Sequence, residues 1–191
     1  MKILVKQIAM PIALLLLVAC SGGKTEKADE AKDKGADEMA LKIRTMEDSL
    51  FENMAFSQRN AQMLLDVYKA YAAAYPLDVR APEYLFRAAG VARSMKDAQQ
   101  SIALYDRVIR DYPSWERLPE TYFLKAFTID TELKHKGNAK EAYQQVIYLF
   151  PDHKFAADAK AMIANLEYTD EELIARWKQQ AEQDSASTTN R

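Results

Sequence analysis

The sequence has few of the residues that make turns, disulfides or metal sites. Its 191 residues include one cysteine, two histidines, five glycines and six prolines. One cysteine cannot form an intramolecular disulfide, and so few glycines and prolines argue against an all-β fold with many short turns. The formal net charge is -2, so the sequence has no excess of positive charge of the kind typical of nucleic-acid-binding proteins. Residues that favour helices, namely Ala, Leu, Lys, Glu and Gln, dominate instead, so the sequence predicts an all-α fold.

Residues 1–19 have the pattern of a secretory signal. Lys2 and Lys6 give a basic start, and an apolar run from Ile8 to Ala19 follows. This run is too short for a membrane-spanning helix, which needs about 20 residues, but it fits the apolar region of a signal. The run ends in "LVAC", which resembles the lipobox of bacterial lipoproteins. The resemblance implies that Cys20 is lipidated and becomes the mature N-terminus, where two or more acyl chains would anchor the protein stably.

Residues 20–38 are expected to form a flexible tether. The segment from Ser21 to Glu38 contains no large apolar residue and cannot bury any surface. A coiled coil or a solvated helix is the alternative, because "EKADEAKDK" contains helix formers, although it has no apolar seam. The folded domain is therefore predicted for residues 39–183, and the polar residues 184–191 are expected to be disordered.

Three aromatic–proline pairs divide the domain at a regular spacing. They are Tyr75-Pro76, Tyr112-Pro113 and Phe150-Pro151, and their prolines are 37 and 38 residues apart. Such a period indicates a repeat architecture. Each proline ends a helix, and Pro82 and Pro119 suit the first turn of the next one. A tyrosine lies eight residues before each proline and shares a helix face with the residue four positions earlier: Tyr68 with Leu64, Tyr105 with Ser101, and Tyr143 with Ala139.

This pattern, small-x3-aromatic-x7-Pro, resembles the second half of the tetratricopeptide repeat (TPR), although Leu64 is large for its position. The first half, Trp-x2-Leu-Gly-x2-Tyr, has no literal match. The phrases "ALYDRVIRDYP" and "AYQQVIYLFPDHKFAADAKAMIANL" resemble the extended repeats of bacterial envelope lipoproteins, including the BamD-type and YbgF-type proteins. The resemblance covers about Thr45 to Leu166. It implies a TPR-like right-handed solenoid of about three helix pairs with C-terminal capping helices.

The predicted helices follow this period. The three pairs are 39–55 with 60–75, 81–94 with 96–112, and 119–133 with 138–150. The first helix should bury one face, formed by Ile43, Met46, Leu50 and Met54. A cap helix is predicted at 155–166, and a capping box from Thr169 to Glu172 begins a last helix with Leu173, Ile174 and Trp177 on one side.

No catalytic set or metal site stands out. His135 and His153 lie in predicted helix-end loops and are expected at the surface, so the sequence predicts neither a cofactor nor a small-molecule substrate. The joint residue Trp115 is expected to pack on a neighbouring helix pair, with a contact site as the alternative. In TPR proteins the first helix of each pair lines the concave face. Carrying that register over predicts partner-binding residues Arg80, Glu83, Arg87, Arg117, Glu120, Leu124 and Phe127, joined by Asp158 and Met162 from the cap; the alternative is an ordinary solvated helix face.

The sequence therefore predicts a lipid-anchored adaptor that binds another envelope protein or an extended peptide segment and catalyses nothing. The residues "SGGKTE" directly after Cys20 are not an acidic export signal, which favours an outer-membrane protein facing the periplasm. One alternative is a surface-exposed lipoprotein that works with an outer-membrane transporter. Another is an enzyme acting on peptidoglycan.

Overall fold

The computed structural model describes residues 22–52 and 57–189, and its described residues contain eight α-helices and no strand. The helices are α1 (Gly22–Glu52), α2 (Gln58–Ala74), α3 (Ala81–Ser94), α4 (Ala98–Asp111), α5 (Leu118–Thr131), α6 (Lys136–Leu149), α7 (Lys154–Asn165) and α8 (Asp170–Thr189). From α1 to α6, each helix packs against the one that follows it. The all-α, TPR-like repeat array is confirmed, and the predicted boundaries of α2 to α7 hold within about two residues.

The three joints share one backbone geometry. Tyr75, Tyr112 and Phe150 cap their helices at φ/ψ of -128°/60°, -131°/59° and -134°/55°. In each joint the aromatic carbonyl accepts a hydrogen bond from the backbone N–H three residues later. Pro82 and Pro119 lie in the first turns of α3 and α5, as predicted. The aromatic–proline pairs therefore mark structurally equivalent positions in the array.

The repeating tyrosines lie in the core. Tyr68, Tyr105 and Tyr143 are 4%, 1% and 0% exposed, and their helix-face neighbours Leu64, Ser101 and Ala139 are also buried. One apolar cluster joins α1 to the start of α5, and a second joins α5, α6 and α7. Phe150 packs against both, so the interior is continuous along the array.

The N-terminal boundary differs from the prediction. The sequence predicts a flexible tether for residues 20–38, but residues 22–38 belong to α1, a helix of 31 residues. Ala36 is buried, and the Asp37 carboxylate lies 2.8 Å from the Arg80 guanidinium. The segment needs no large apolar residue because glycine and alanine at 35 and 36 let α1 approach α2 closely. Ile43 and Met46 pack inward as predicted, whereas the side chains of Leu50 and Met54 lie outside the described part of the chain, as do residues 1–21.

The C-terminal helix also extends further than predicted. The expected capping box is confirmed, since the Glu172 carboxylate accepts the Thr169 N–H at 2.8 Å and the Thr169 hydroxyl accepts the Glu172 N–H at 3.3 Å. The sequence predicts disorder for residues 184–191, but α8 continues to Thr189, and residues 190 and 191 lie outside the described part of the chain. Residues 184–189 are charged and small and include no glycine or proline, so they carry no signal to end a helix. None of the described helices is long and apolar enough to cross a membrane.

Candidate functional site

Six of the predicted partner-binding residues are charged, and the structure brings five of them, all except Asp158, to the N-terminal parts of α3 and α5. Arg80 and Arg117 occupy the N-cap positions of these helices. Glu83 and Glu120 lie in their first turns, and Arg87 is one turn further along α3. Pro82 and Pro119 fix where the two helices begin, so equivalent charges recur at equivalent places in successive units.

Four of these residues join Glu47 of α1 in a chain of alternating charges. One carboxylate oxygen of Glu83 lies 2.7 Å from Arg87 Nε, and the other lies 2.6 Å from Arg117 Nη1. Arg117 also contacts Glu120 at 2.9 Å, and Arg87 contacts Glu47 at 2.9 Å. We name these five residues the charge ladder. The ladder links α1, α3 and α5, so it crosses two repeat boundaries.

The pKa of Glu83 shows that its two arginines outweigh its burial. Burial alone would raise the pKa of the carboxyl group, but hydrogen bonds from Arg87 and Arg117 hold it below its usual value. Burial likewise lowers the pKa of Arg87, and its bonds to Glu83 and Glu47 raise it to a net value above normal. Both groups therefore remain ionised at neutral pH.

Arg80 is held by two carboxylates of its own. Its guanidinium binds both oxygens of Asp78, at 2.8 and 2.7 Å, and also contacts Asp37 of α1. The hydrogen bond from the Arg80 side chain is the largest influence on Asp78, whose pKa falls to about 2. Arg80 thus fastens the first joint to α1 rather than standing free.

Arg117 is further fixed by aromatic rings. Its guanidinium lies 4.1 Å from the centre of the Phe86 ring and 5.6 Å from that of Trp115. Trp115 packs edge-on against Phe86 with their centres 5.5 Å apart. The prediction that Trp115 packs on a neighbouring helix pair is therefore confirmed.

The charged groups of the ladder are all paired with one another. Three carboxylates and two guanidinium groups pair within the ladder, and Arg80 pairs outside it. The role of Glu47 could not be read from the sequence, since it lies 40 residues from Arg87. A charged ligand would have to compete with these contacts, so the ladder acts first as a structural link.

The two apolar residues predicted on α5 behave differently. Leu124 is half-buried and packs against the larger core cluster. Phe127 stacks on Phe123 with ring centres 6.4 Å apart, and the Arg93 guanidinium lies 5.4 Å from its ring centre. Phe127 also borders a groove, which gives it a surface that a ligand can reach.

This groove lies between α5, α7 and α8 and has a volume of about 740 Å³. We name it the C-terminal groove. Apolar side chains from three helices line it: Phe127, Met162, Leu166, Leu173 and Trp177. Lys134 and Glu171 stand among its polar residues, and Asp130 accepts a hydrogen bond from the buried Tyr143 at 3.3 Å. Met162 was predicted from the cap helix, whereas Asp158 is exposed outside the groove lining.

The helix α8 leaves its apolar side largely uncovered. Trp177 is 58% exposed and Ile174 is 49% exposed, although the sequence places them with Leu173 on one side of the helix. The apolar spacing was visible in the sequence. The groove itself was not, because it depends on the angle at which α8 leaves α7.

A smaller groove of about 500 Å³ separates α1 from α3. Paired side chains form much of its wall, including Asp37, Glu47, Arg80, Glu83 and Arg87. Its apolar content is limited to Ala40, Leu41 and Tyr84. The C-terminal groove is therefore the better site for an apolar segment.

Within residues 22–52 and 57–189, no three His, Cys, Asp or Glu side chains are placed to hold a metal ion. Both histidines are exposed, as predicted. His153 caps α7, where its Nδ1 accepts the Phe155 N–H at 3.3 Å. This gives the residue a structural role at a helix start.

Comparison with known proteins supports the repeat assignment. The tetratricopeptide repeat family profile matches residues 83–114, which cover most of α3, all of α4 and the start of the joint that follows them. A search of curated proteins found no match to the sequence. Repeats of the matched type generally bind other proteins or peptides.

Proposed function

We propose that this protein is a lipid-anchored adaptor of the bacterial cell envelope that binds a partner protein and catalyses no reaction. The matched repeat and the array around it support a protein-binding role. The "LVAC" sequence ending at Cys20 supports the lipid anchor, and "SGGKTE" supports an outer-membrane protein facing the periplasm. The partner would be another envelope protein that serves an assembly or maintenance complex.

The C-terminal groove carries the binding part of this proposal. It offers about 740 Å³ lined by apolar side chains, and Trp177 at its edge is more than half exposed. Large aromatic residues in such positions commonly provide much of the binding energy of an interface. Phe127 links the groove to the face predicted from the repeat register, whereas Glu47, Glu83 and Arg87 of the charge ladder line the smaller groove instead.

A peptide segment with large apolar side chains fits this groove. Leu173 and Trp177 on α8 would contact one side of the segment, and Phe127 and Met162 would contact the other. Charges of both signs, on Lys134 and Glu171, stand at the groove and suit the polar flanks of such a segment. This arrangement corresponds to the recognition of short segments in preformed grooves.

Site-specific photo-crosslinking in native membranes tests the assignment. A photoreactive residue in place of Trp177 should give an adduct with one partner, identified by mass spectrometry. The matched control is Tyr148, which is 84% exposed but lies on α6 outside the groove lining. Trp177→Ala should then weaken binding of the purified partner without lowering the melting temperature, because exposed substitutions usually change stability by less than about 0.5 kcal/mol. Equal adducts at both positions, or an unaffected affinity, would contradict the groove.

A further inference from the structure

The joint between α2 and α3 presents two aliphatic side chains to solvent. Leu77 is 97% exposed and Val79 is 87% exposed, although both are large apolar residues. Single exposed apolar residues are common on protein surfaces, but two in one short loop form a patch. We name this pair the joint patch.

The repeat itself shows that the loop does not need these residues. All three joints have the same backbone geometry and the same hydrogen bond to the aromatic carbonyl. Counted from the proline, the second joint has Ser114 and Glu116 at the two positions, and the third has Asp152 and Lys154. Polar residues therefore serve the fold equally well, and the apolar pair of the first joint calls for another explanation.

The joint patch lies at the edge of the array from which α1 projects. Two contacts hold α1 against the first joint. Gly35 faces the Tyr75 hydroxyl, and Asp37 forms an ion pair of 2.8 Å with Arg80. From this edge, residues 22–34 of α1 continue outward for about 20 Å at the helical rise of 1.5 Å per residue. Cys20 lies two residues before the first residue of α1. Among the three joints, the first is therefore the one beside the helix that leads to the anchor.

We propose that Leu77 and Val79 rest in the interface of the bilayer to which Cys20 anchors the chain. This inference rests on the proposed lipid anchor. An upright α1 would hold the joint about 20 Å away from the anchor point, so the contact requires α1 to lie along the membrane surface. The array would then be held close to the membrane in one orientation, with Leu77 and Val79 against the lipid.

Two apolar side chains are sufficient for this contact because the anchor makes it intramolecular. Apolar side chains gain free energy on leaving water for the interface. On their own they would bind a vesicle weakly, but a lipid anchor on the same chain raises their effective concentration at the surface. The contact would therefore set orientation, while the lipid supplies the affinity.

The charges beside the patch suit a lipid surface. Asp78 and Asp37 both pair with Arg80, so the polar groups next to Leu77 and Val79 are largely satisfied within the chain. The loop projects into solvent rather than lining either groove. A flat, zwitterionic surface needs neither a pocket nor a complementary charge on the protein.

A polarity-sensitive fluorophore tests the proposal. Val79→Cys can be labelled at a single site, because Cys20 is the only natural cysteine and its sulfur would carry lipid. The labelled lipoprotein is reconstituted into phosphatidylcholine vesicles. We expect its emission to shift to the blue relative to detergent-free Cys20→Ala protein carrying the same label and mixed with the same vesicles.

The second joint provides the matched control. Glu116→Cys places the same label at the equivalent position, and its emission should not shift on reconstitution. No shift at position 79, or an equal shift at position 116, would overturn the contact. The purified partner can also be added to the vesicles. If the emission at position 79 shifts only after this addition, the joint patch contacts the partner protein and not the membrane.

Labelling of the wild-type protein separates the two proposals. If the wild type takes up fluorophore, Cys20 has a free thiol and the proposed anchor fails. A second outcome is that the wild type takes up no fluorophore while the emission of the label at position 79 does not shift in the vesicles. The anchor then stands, and the membrane contact of the joint patch is wrong.

Discussion

Gly35 of α1 faces the hydroxyl of Tyr75, which caps the C-terminal end of α2. A methyl group at Gly35 would lie 2.7 Å from the hydroxyl oxygen and 3.6 Å from the ring carbon that bears it. The glycine is therefore the point of close approach between the first two helices. Because the Tyr75 ring is able to move, a larger residue at position 35 is disfavoured but not excluded.

The Gly35–Tyr75 contact predicts that Gly35→Ala gains less stability than an unobstructed glycine substitution. Alanine favours a helix interior over glycine by about 1 kcal/mol. Gly90 of α3 is the matched control, because a methyl group there would meet nothing within 4 Å. Urea unfolding should show a gain of about 1 kcal/mol for Gly90→Ala and a smaller gain for Gly35→Ala.

The same substitution in a Tyr75→Phe background isolates the cause. Without the hydroxyl, the nearest remaining ring atoms lie at an ordinary contact distance, so the gains at positions 35 and 90 should become similar. If Gly35→Ala already equals Gly90→Ala in the wild-type background, then the hydroxyl does not obstruct the site.

The charge ladder predicts that Arg117→Glu destabilises the fold. The new carboxylate would stand between Glu83 and Glu120, and the cation over the Phe86 ring would be lost. We expect a loss of about 1–3 kcal/mol in the free energy of unfolding, the usual range for substitutions with a defined structural cause. Arg110→Glu, at an exposed position of α4 whose partner is its neighbour Asp111, should change it by less than about 0.5 kcal/mol. Similar melting curves for the two variants would show that the ladder adds nothing to stability.

The period of the sequence was sufficient to predict the helices but not the N-terminal or C-terminal boundary. A proline about two helical turns after a core tyrosine is a local signal, and the spacing of Tyr105 and Pro113 predicts the register of α4 directly. The start of α1 depended on packing, because Gly35 and Ala36 touch α2 through their small size. Small residues in a charged segment resemble a linker until their neighbours are known.

The candidate site was predictable only in part, because the sequence indicates the register of each helix but not its contacts with distant helices. The register placed Arg87 and Arg117 on one side of the array, and the structure brings both to Glu83. Glu47, which also pairs with Arg87, lies on the helix of another repeat, and no sequence pattern indicates this contact. The C-terminal groove depends on how α8 leaves α7, and local patterns determine the amphipathic side of a helix rather than its angle to its neighbour.

The repeating tyrosines predict large losses on truncation. Tyr105→Ala and Tyr143→Ala each remove a buried ring, which typically costs about 3–5 kcal/mol. Tyr143→Phe keeps the ring but removes the hydrogen bond to Asp130, so we expect a loss of about 1 kcal/mol. Tyr148→Ala is the control, since this tyrosine is 84% exposed. Thermal unfolding would contradict the assignment if the two buried variants melted like Tyr148→Ala.

The proposed anchor predicts a change in partitioning for Cys20→Ala. A chain lipidated at Cys20 should enter the detergent phase when a membrane extract is separated by phase transition, because acyl chains bind the micelle. The variant lacks the thiol that would carry the lipid, so it should stay in the aqueous phase or remain unprocessed. Cleaved, aqueous protein from both the wild type and the variant would show that Cys20 carries no lipid.

The pKa of Glu83 predicts that the ladder weakens in acid. Burial raises the pKa of this carboxyl group, but its hydrogen bonds to Arg87 and Arg117 lower it further, and the folded value lies below the ordinary value of 4.5. The unfolded chain therefore binds a proton at a higher pH than the folded chain. The stability from this group is fully present above pH 4.5 and is lost as the pH falls through the folded value. Urea unfolding at a series of pH values should show wild type more stable than Glu83→Gln at neutral pH, with the difference shrinking below pH 4.5. A difference that stays constant from neutral to acidic pH would mean that Glu83 does not titrate as a member of the ladder.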